Sequence, residues 1–390
     1  MRVAALTLVT VGAILATAVS AQDASPLEIR FCPAAQVRTF PLESGRGVQS
    51  LLLQNIAVIN RGAAPADVAD VTLELLREAN ALDTRRIAGA DLASVTAAGP
   101  MIQKSGMLKL VAFQFCGSAL IPDGIALAGT KLSPNQAFLI SQQPFAFKGK
   151  RDALRVRVHA RIDGREVEAA ATLPIQSAFT KTQFTFPLRG VWFAGVGPTM
   201  HTGHRWALPE EFGYDIARLG HGGLSYRSTG ARFADYFAYG AEVLAAGEGV
   251  VVAAVNDQQE DASALRRPGE TAEAYGARIQ EIQGALLAKG VKGVAGNYVV
   301  VDHGNGEYSL YAHLQPGSVS VRVGDRLATG ARLGKLGSSG NSTEPHLHFQ
   351  VCDSADPLMC AGIPVQFQNV ALPFADYPRP LQSGDVVVAN

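Results

Sequence analysis

The sequence predicts a mostly β protein in two parts, an N-terminal β-sandwich followed by an antiparallel β-sheet domain with a helical insertion. Three observations carry this expectation. Glycine is abundant, 40 of 390 residues, which favours tight turns and short strands over long helices. Apolar and polar residues alternate in short runs, the period of a half-buried strand. One stretch, residues 257–292, breaks that rhythm with apolar positions at helical spacing. The apolar fraction of 47% suffices for buried cores. Lys plus Arg and Asp plus Glu both total 34, so no net field draws the chain to nucleic acid or an anionic surface.

Residues 1–21 read as an export signal. Arg2 precedes an uncharged run over residues 3–18, and Val19-Ser20-Ala21 offers small residues for cleavage before Gln22. An uncleaved anchor is the alternative for a run near the lower spanning length; after cleavage no membrane span is expected. In an oxidising compartment four cysteines favour disulfides over a thiolate metal site. The expected pairs are Cys32–Cys116 and Cys352–Cys360, each within one part.

Residues 22–180 form the sandwich. Leu154, Val156, Val158, Ala160 and Ile162 alternate with arginines and His159. Asp163-Gly164 turns the chain, and Val167, Ala169, Ala171 and Leu173 resume the pattern, as in a hairpin with one wet face. Residues 51–59 and 108–115 read as further strands, and residues 68–78 as a helical piece. An immunoglobulin-like sandwich is the nearest pattern. No chemistry is evident here, and His159 reads as solvated.

Residues 179–198 make the junction, and residues 181–390 hold seven of the eight histidines. Strands are expected over residues 242–245, 249–255, 297–301, 307–312, 332–335 and 346–351, with Gly304-Asn305-Gly306 as a hairpin turn. Within the insertion Pro268 opens a helix that Gly290 closes, with Ile279, Ile282 and Leu286 on one face. It is either a packing excursion or a lid over a cleft.

His346 and His348 project from the same side of a strand, while Leu347 and Phe349 point to the core. An H-x-H pair alone is weak; a catalytic zinc wants three protein ligands and an open position. His204 and Asp215 are the candidates to join His348. Asp215 lies eleven positions after His204, so a loop must fold back. Tyr214 and Ile216 would be buried while Asp215 faces the site, and a carboxylate among apolar neighbours needs a partner. His313 ends another strand, with Tyr311 expected on its face. Equally, His313 reads as a hydrogen-bonded core residue, and Asp215 as a turn cap or a partner for Arg218.

The ordered set Gly247-Glu248-Gly249, Gly296-Asn297-Tyr298, Val301-Asp302-His303-Gly304, Leu310-Tyr311-Ala312-His313-Leu314, Val323-Gly324-Asp325 and Pro345-His346-Leu347-His348-Phe349 resembles the lysostaphin/LytM-type zinc metallopeptidases. These enzymes cut peptide bonds in bacterial peptidoglycan. The resemblance runs from about residue 184 to 351. It implies one Zn²⁺ per chain held by His204, Asp215 and His348, with His313 and His346 flanking the zinc-bound water as general base and helper in either order. Tyr311 is expected either against substrate or in the core, and peptidoglycan peptide stems are the expected partner.

Three departures stand out. The histidine–aspartate spacing is long where H-x-x-x-D is familiar, and His201 competes with His204 as ligand. Glu344 replaces a usual glycine, and Gln350 a usual glutamate. Export with disulfides and no cell-wall repeat module points to the periplasm, with an extracellular site as the alternative, and to a D-alanyl–diaminopimelate cross-link rather than a glycine bridge. A catalytically silent peptidase-like protein that binds peptidoglycan or activates another hydrolase is the rival reading; that all five positions are filled argues against it.

Overall fold

A computed structural model describes residues 25–199 and 203–390. The expected export signal and His201 lie outside the described residues. Two large sheets hold most of the strands, one between residues 27 and 176 and one between residues 190 and 389.

The first is ten-stranded. One half runs Asn80–Ala88, Ala66–Arg77, Ala153–Ile162, Arg165–Gln176, and the other Val37–Glu43, Val48–Asn60, Gln136–Lys148, Ala126–Leu127. A short parallel pair, Ile175 opposite Val37, joins the halves. They close over one core, with Leu51, Leu53, Ile56 and Phe138 from one half and Val71, Leu73 and Val156 from the other. The predicted hairpin of Ala153–Ile162 with Arg165–Gln176 forms in antiparallel register. Its wet face is laced with ion pairs: Arg155 bonds Glu74 at 2.6 Å, and His159 sits 2.9 Å from Asp70 and 2.8 Å from Glu168, so it is paired rather than simply solvated.

Two local expectations are corrected. Residues 68–78 are not helical but belong to the Ala66–Arg77 strand, because Val71, Leu73 and Leu75 all enter the core while pairing with Ala153–Ile162; tertiary pairing overrides a weak helical bias. Residues 108–115 are not a strand. They lie in short helical turns, Met107–Leu110 and Ala112–Gln114, bounded by left-handed backbone at Gly106 and Cys116 that an extended run does not accommodate. Cys116 is tied to Cys32, and Cys352 to Cys360, the two pairings expected.

The second sheet has nine strands. Its centre runs Gly249–Val255, Asn297–Asp302, Tyr308–Leu314, Leu347–Cys352, Tyr214–Ala217, Gly190–Val196 in spatial order. One face buries Tyr214, Ile216, Val299, Tyr311, Leu347 and Phe349 in the larger core. Phe184, Phe186 and Leu188 from the junction join the same core. The insertion interrupts the Gly249–Val255/Asn297–Asp302 hairpin. Its helix begins at Ala272, where Thr271 caps the Ala274 amide at 3.2 Å, rather than at Pro268. A second short helix, Val291–Ala295, packs on the opposite face of the sheet beside Leu310 and Ala312. Among the described residues no helix is long and apolar enough to cross a membrane.

Candidate metal centre

Three neighbouring strands and one loop build the centre. On Leu347–Cys352, Leu347, Phe349 and Val351 enter the core while His348 and Gln350 face a cleft of about 280 Å³. His346, just ahead of the strand, faces it too. Asp215 lies directly opposite His348 in the antiparallel register. His204 starts a single turn, His204–Trp206, and the loop to Asp215 folds back over the strand ends. One ligand atom from each of His204, Asp215 and His348 lies within 4.8 Å of the other two.

His313 reaches the cleft by a device that alternation conceals. Its φ is +63°, a conformation rare for a side chain larger than glycine and tolerated where function requires it. The strand bulges there: Ala312 and His313 together span the gap opposite Tyr298 alone, between the Val299–Tyr311 and Asn297–Leu314 pairs. Ala312 and His313 therefore both line the cleft, and Tyr311 points away from it. Tyr311 is 0% exposed, and its hydroxyl accepts from the Ala246 amide at 2.8 Å. The expectation that Tyr311 shares a face with His313 is corrected, and of its two expected places, against substrate or in the core, it takes the core.

Hydrogen bonds fix the imidazoles of His348, His313 and His346. The Pro357 carbonyl can only accept, and Gln350 Nε2 donates to it at 3.1 Å, so Gln350 Oε1 faces His348 and accepts from Nε2–H at 2.8 Å. That leaves the His348 Nδ1 lone pair 2.9 Å from Asp215 Oδ1. Two acceptors in contact require a cation between them, a proton or a metal. His204 Nε2 stands 3.2 Å from the other Asp215 oxygen. Two imidazole nitrogens converging on one carboxylate fit a divalent metal with borderline-soft preferences. His313 Nδ1–H donates to the Ser339 carbonyl at 2.8 Å, and His346 Nδ1–H to the Glu344 carbonyl at 2.7 Å.

Electrostatics follow from this crowding. Burial works to raise the Asp215 carboxyl, but the imidazoles of His204 and His346 outweigh it and hold the group well below the usual carboxylate range. Burial likewise opposes charge on His204, yet Asp215 pushes it up to about 9. His346 is raised against its burial by the same carboxylate. His313 goes the other way: burial, then the neighbouring His346 and His348, drive it well below the ordinary imidazole value.

The helical insertion walls one side of the cleft through Gln283, Val291, Val294 and Ala295. Glu344 holds the Ser225 hydroxyl at 2.8 Å across the rim. His303, part of the sequence pattern, stays out of the cleft and bonds the Glu248 carbonyl and Ser309. Sequence reasoning did not find the grip of Gln350 on His348, although the period of two that aligns His346 with His348 also aligns Gln350.

Residues 272–359 match peptidase family M23, a span that includes His313, His346 and His348 and ends short of His204 and Asp215. Over 81 residues the chain is 37% identical to the peptidoglycan DD-endopeptidase ShyA of Vibrio cholerae, covering 21% of this chain and 17% of that one. Over 90 residues it is 39% identical to the DD-carboxypeptidase/endopeptidase Mpg of Neisseria meningitidis, covering 23% and 19%. The chain thus spans less than a fifth of the length of these curated relatives. Among solved structures, the lysostaphin catalytic domain of Staphylococcus simulans aligns with 44% of this chain and 86% of its own, at 20% identity and a TM-score of 0.24. The H-x-H strand and His313 thus lie within residues 272–359, the stretch that matches the LytM-type domain of peptidase family M23.

Proposed function

We propose that this protein is a zinc-dependent endopeptidase that hydrolyses peptide cross-links of bacterial peptidoglycan, exported to the periplasm and acting on the D-alanyl–diaminopimelate bond. The observation that carries the reading is the convergence of His204, Asp215 and His348 within 4.8 Å at the floor of a cleft that His313 and His346 also line. The Vibrio and Neisseria relatives, a peptidoglycan DD-endopeptidase and a DD-carboxypeptidase/endopeptidase, support the substrate class.

His204 Nε2, one Asp215 oxygen and His348 Nδ1 would hold the ion. When bound, zinc supplies a Lewis acid that activates water and polarises the scissile carbonyl. The residues around it divide the proton work. His313, kept neutral by burial and by its imidazole neighbours, donates Nδ1–H to Ser339, so Nε2 is a free lone pair that suits a general base. His346, its Nδ1–H held by the Glu344 carbonyl, stands with Nε2 3.4 Å from Asp215 and suits the second role, passing a proton to the leaving amine. The short-range bonds to the Ser339 and Glu344 carbonyls orient both rings before substrate arrives.

The test is mass spectrometry of products released from purified peptidoglycan with and without a chelator. Chelator-sensitive release of cross-link fragments supports the reading. Binding to peptidoglycan without release would overturn it in favour of a silent, peptidoglycan-gripping protein.

A further inference from the structure

We propose that the N-terminal sandwich clamps the loop between His204 and Asp215 and so sets the metal ligands, with Gln54 as the positioning residue. This rests on His204 being a ligand. The loop is long for a segment that must deliver two ligands to one point, and a free loop would lose conformational freedom whenever the metal bound. Its outer face is instead buried under the sandwich. Gln54, on the Val48–Asn60 strand, is 1% exposed; its Nε2 donates to the Arg205 carbonyl at 2.7 Å and approaches Glu211 Oε2 at 3.4 Å. The Arg205 peptide follows His204 directly. Leu208 is packed into an apolar cluster with Cys32, Ala57, Ile59 and Leu120 of the sandwich. Phe40 stacks on Phe212 with ring centroids 6.3 Å apart, and the buried Arg205 guanidinium lies over the same Phe212 ring, 3.5 Å from Glu211.

The loop therefore has two faces with two jobs. Toward the cleft it presents His204 and Glu210; away from it, Arg205, Leu208, Glu211 and Phe212 are gripped. Among the described residues, none that line the cleft comes from the sandwich, so this contact positions the site without covering it. Loss of an outer contact that orients a ligand weakens metal binding by about 10–100-fold, the size expected here.

The test compares two full-length variants of adjacent buried residues. Gln54→Met removes the tether to the Arg205 carbonyl. Asn55→Leu removes bonds that stay within the sandwich, Nδ2 to the Gln114 carbonyl at 2.6 Å and Oδ1 from Ser141 at 2.7 Å. Zinc affinity is read by competition with a chromophoric chelator. Amide hydrogen exchange over residues 203–213 is read in zinc-free protein. We expect Gln54→Met to lose about 10–100-fold in zinc affinity and to speed exchange in the loop, with Asn55→Leu changing neither. Phe40→Leu, which loosens the Phe212 contact, supplies the same comparison should Gln54→Met fail to fold. Equal behaviour of the Gln54 and Asn55 variants, or wild-type affinity and exchange in both clamp variants, overturns the proposal. A wild-type chain that binds no zinc would sink the metal reading, and loop exchange would still decide whether the sandwich clamps.

Discussion

Replacing Gln350 by Leu is the most direct probe of how the centre keeps a ligand ready. Leu fills a similar volume but accepts nothing from His348 Nε2–H, now 2.8 Å from the amide oxygen. A buried unpaired donor costs about 1–3 kcal/mol. The ring escapes that cost by moving its proton to Nδ1, where Asp215 Oδ1 waits at 2.9 Å. The proton then occupies the atom the metal needs. Loss of a contact of this kind weakens metal binding by about 10–100-fold, or about 1.4–2.8 kcal/mol at 1.4 per tenfold, the same size as the lost hydrogen bond. Gln350→Glu keeps an acceptor toward His348 and gives up the donor to the Pro357 carbonyl and the Cys352 sulfur, so its affinity stays closer to wild type than that of Gln350→Leu. Chelator competition measures affinity, and nitrogen–proton correlation spectra of the zinc-free protein report which His348 nitrogen carries the proton. If Gln350→Leu binds zinc as tightly as wild type with the proton still on Nε2, the reasoning is wrong.

Three further outcomes are expected. His348→Ala loses both bound zinc and hydrolysis, whereas His346→Ala retains about one zinc per chain and loses hydrolysis; metal analysis of the purified variants separates these, and equal zinc loss in both refutes the division of roles. Because Asp215 raises His204 to about 9 in the metal-free site, zinc must displace a proton at neutral pH. Its affinity should climb roughly tenfold per pH unit between about pH 7 and 9. By the same linkage, the His204–Asp215 pair stabilises the zinc-free protein fully below the unfolded imidazole value near 6.5, and that contribution fades as pH rises through about 9; a flat profile in thermal unfolding of chelated protein would contradict this. Finally, replacing Cys32 and Cys116 by serine should cost more stability than replacing Cys352 and Cys360, about 4–5 against about 2–3 kcal/mol, since the loops close over 84 and 8 residues. The shorter bridge instead should affect zinc affinity, because its loop carries the Pro357 carbonyl that orients Gln350.

Much of the centre was legible because it depends on short-range periodicity. On the Leu347–Cys352 strand an apolar residue every second position fixes which side is core, so His348 had to face the other way. Apolar Tyr214 and Ile216 fix Asp215 by the same rule. His313 escaped it, since a left-handed residue in a bulge reverses the alternation at that point, and Tyr311 was misassigned as a consequence. The Ala66–Arg77 strand escaped for a different reason. Its conformation is decided by the partner strand at Ala153–Ile162, far along the chain.

By itself the sequence determined the β character, the helical interruption of one hairpin and the residue types able to bind a metal, because each is set by local periodicity, spacing or side-chain chemistry; which cysteines pair was settled by the fold. Only the tertiary structure decided that Gln350 bonds His348, that the Ser339 and Glu344 carbonyls hold the rings of His313 and His346, and that Gln54 of the sandwich bonds the loop carrying His204. Those properties belong to pairs of groups brought within bonding distance from remote parts of the chain, and such distances exist only once the chain has folded.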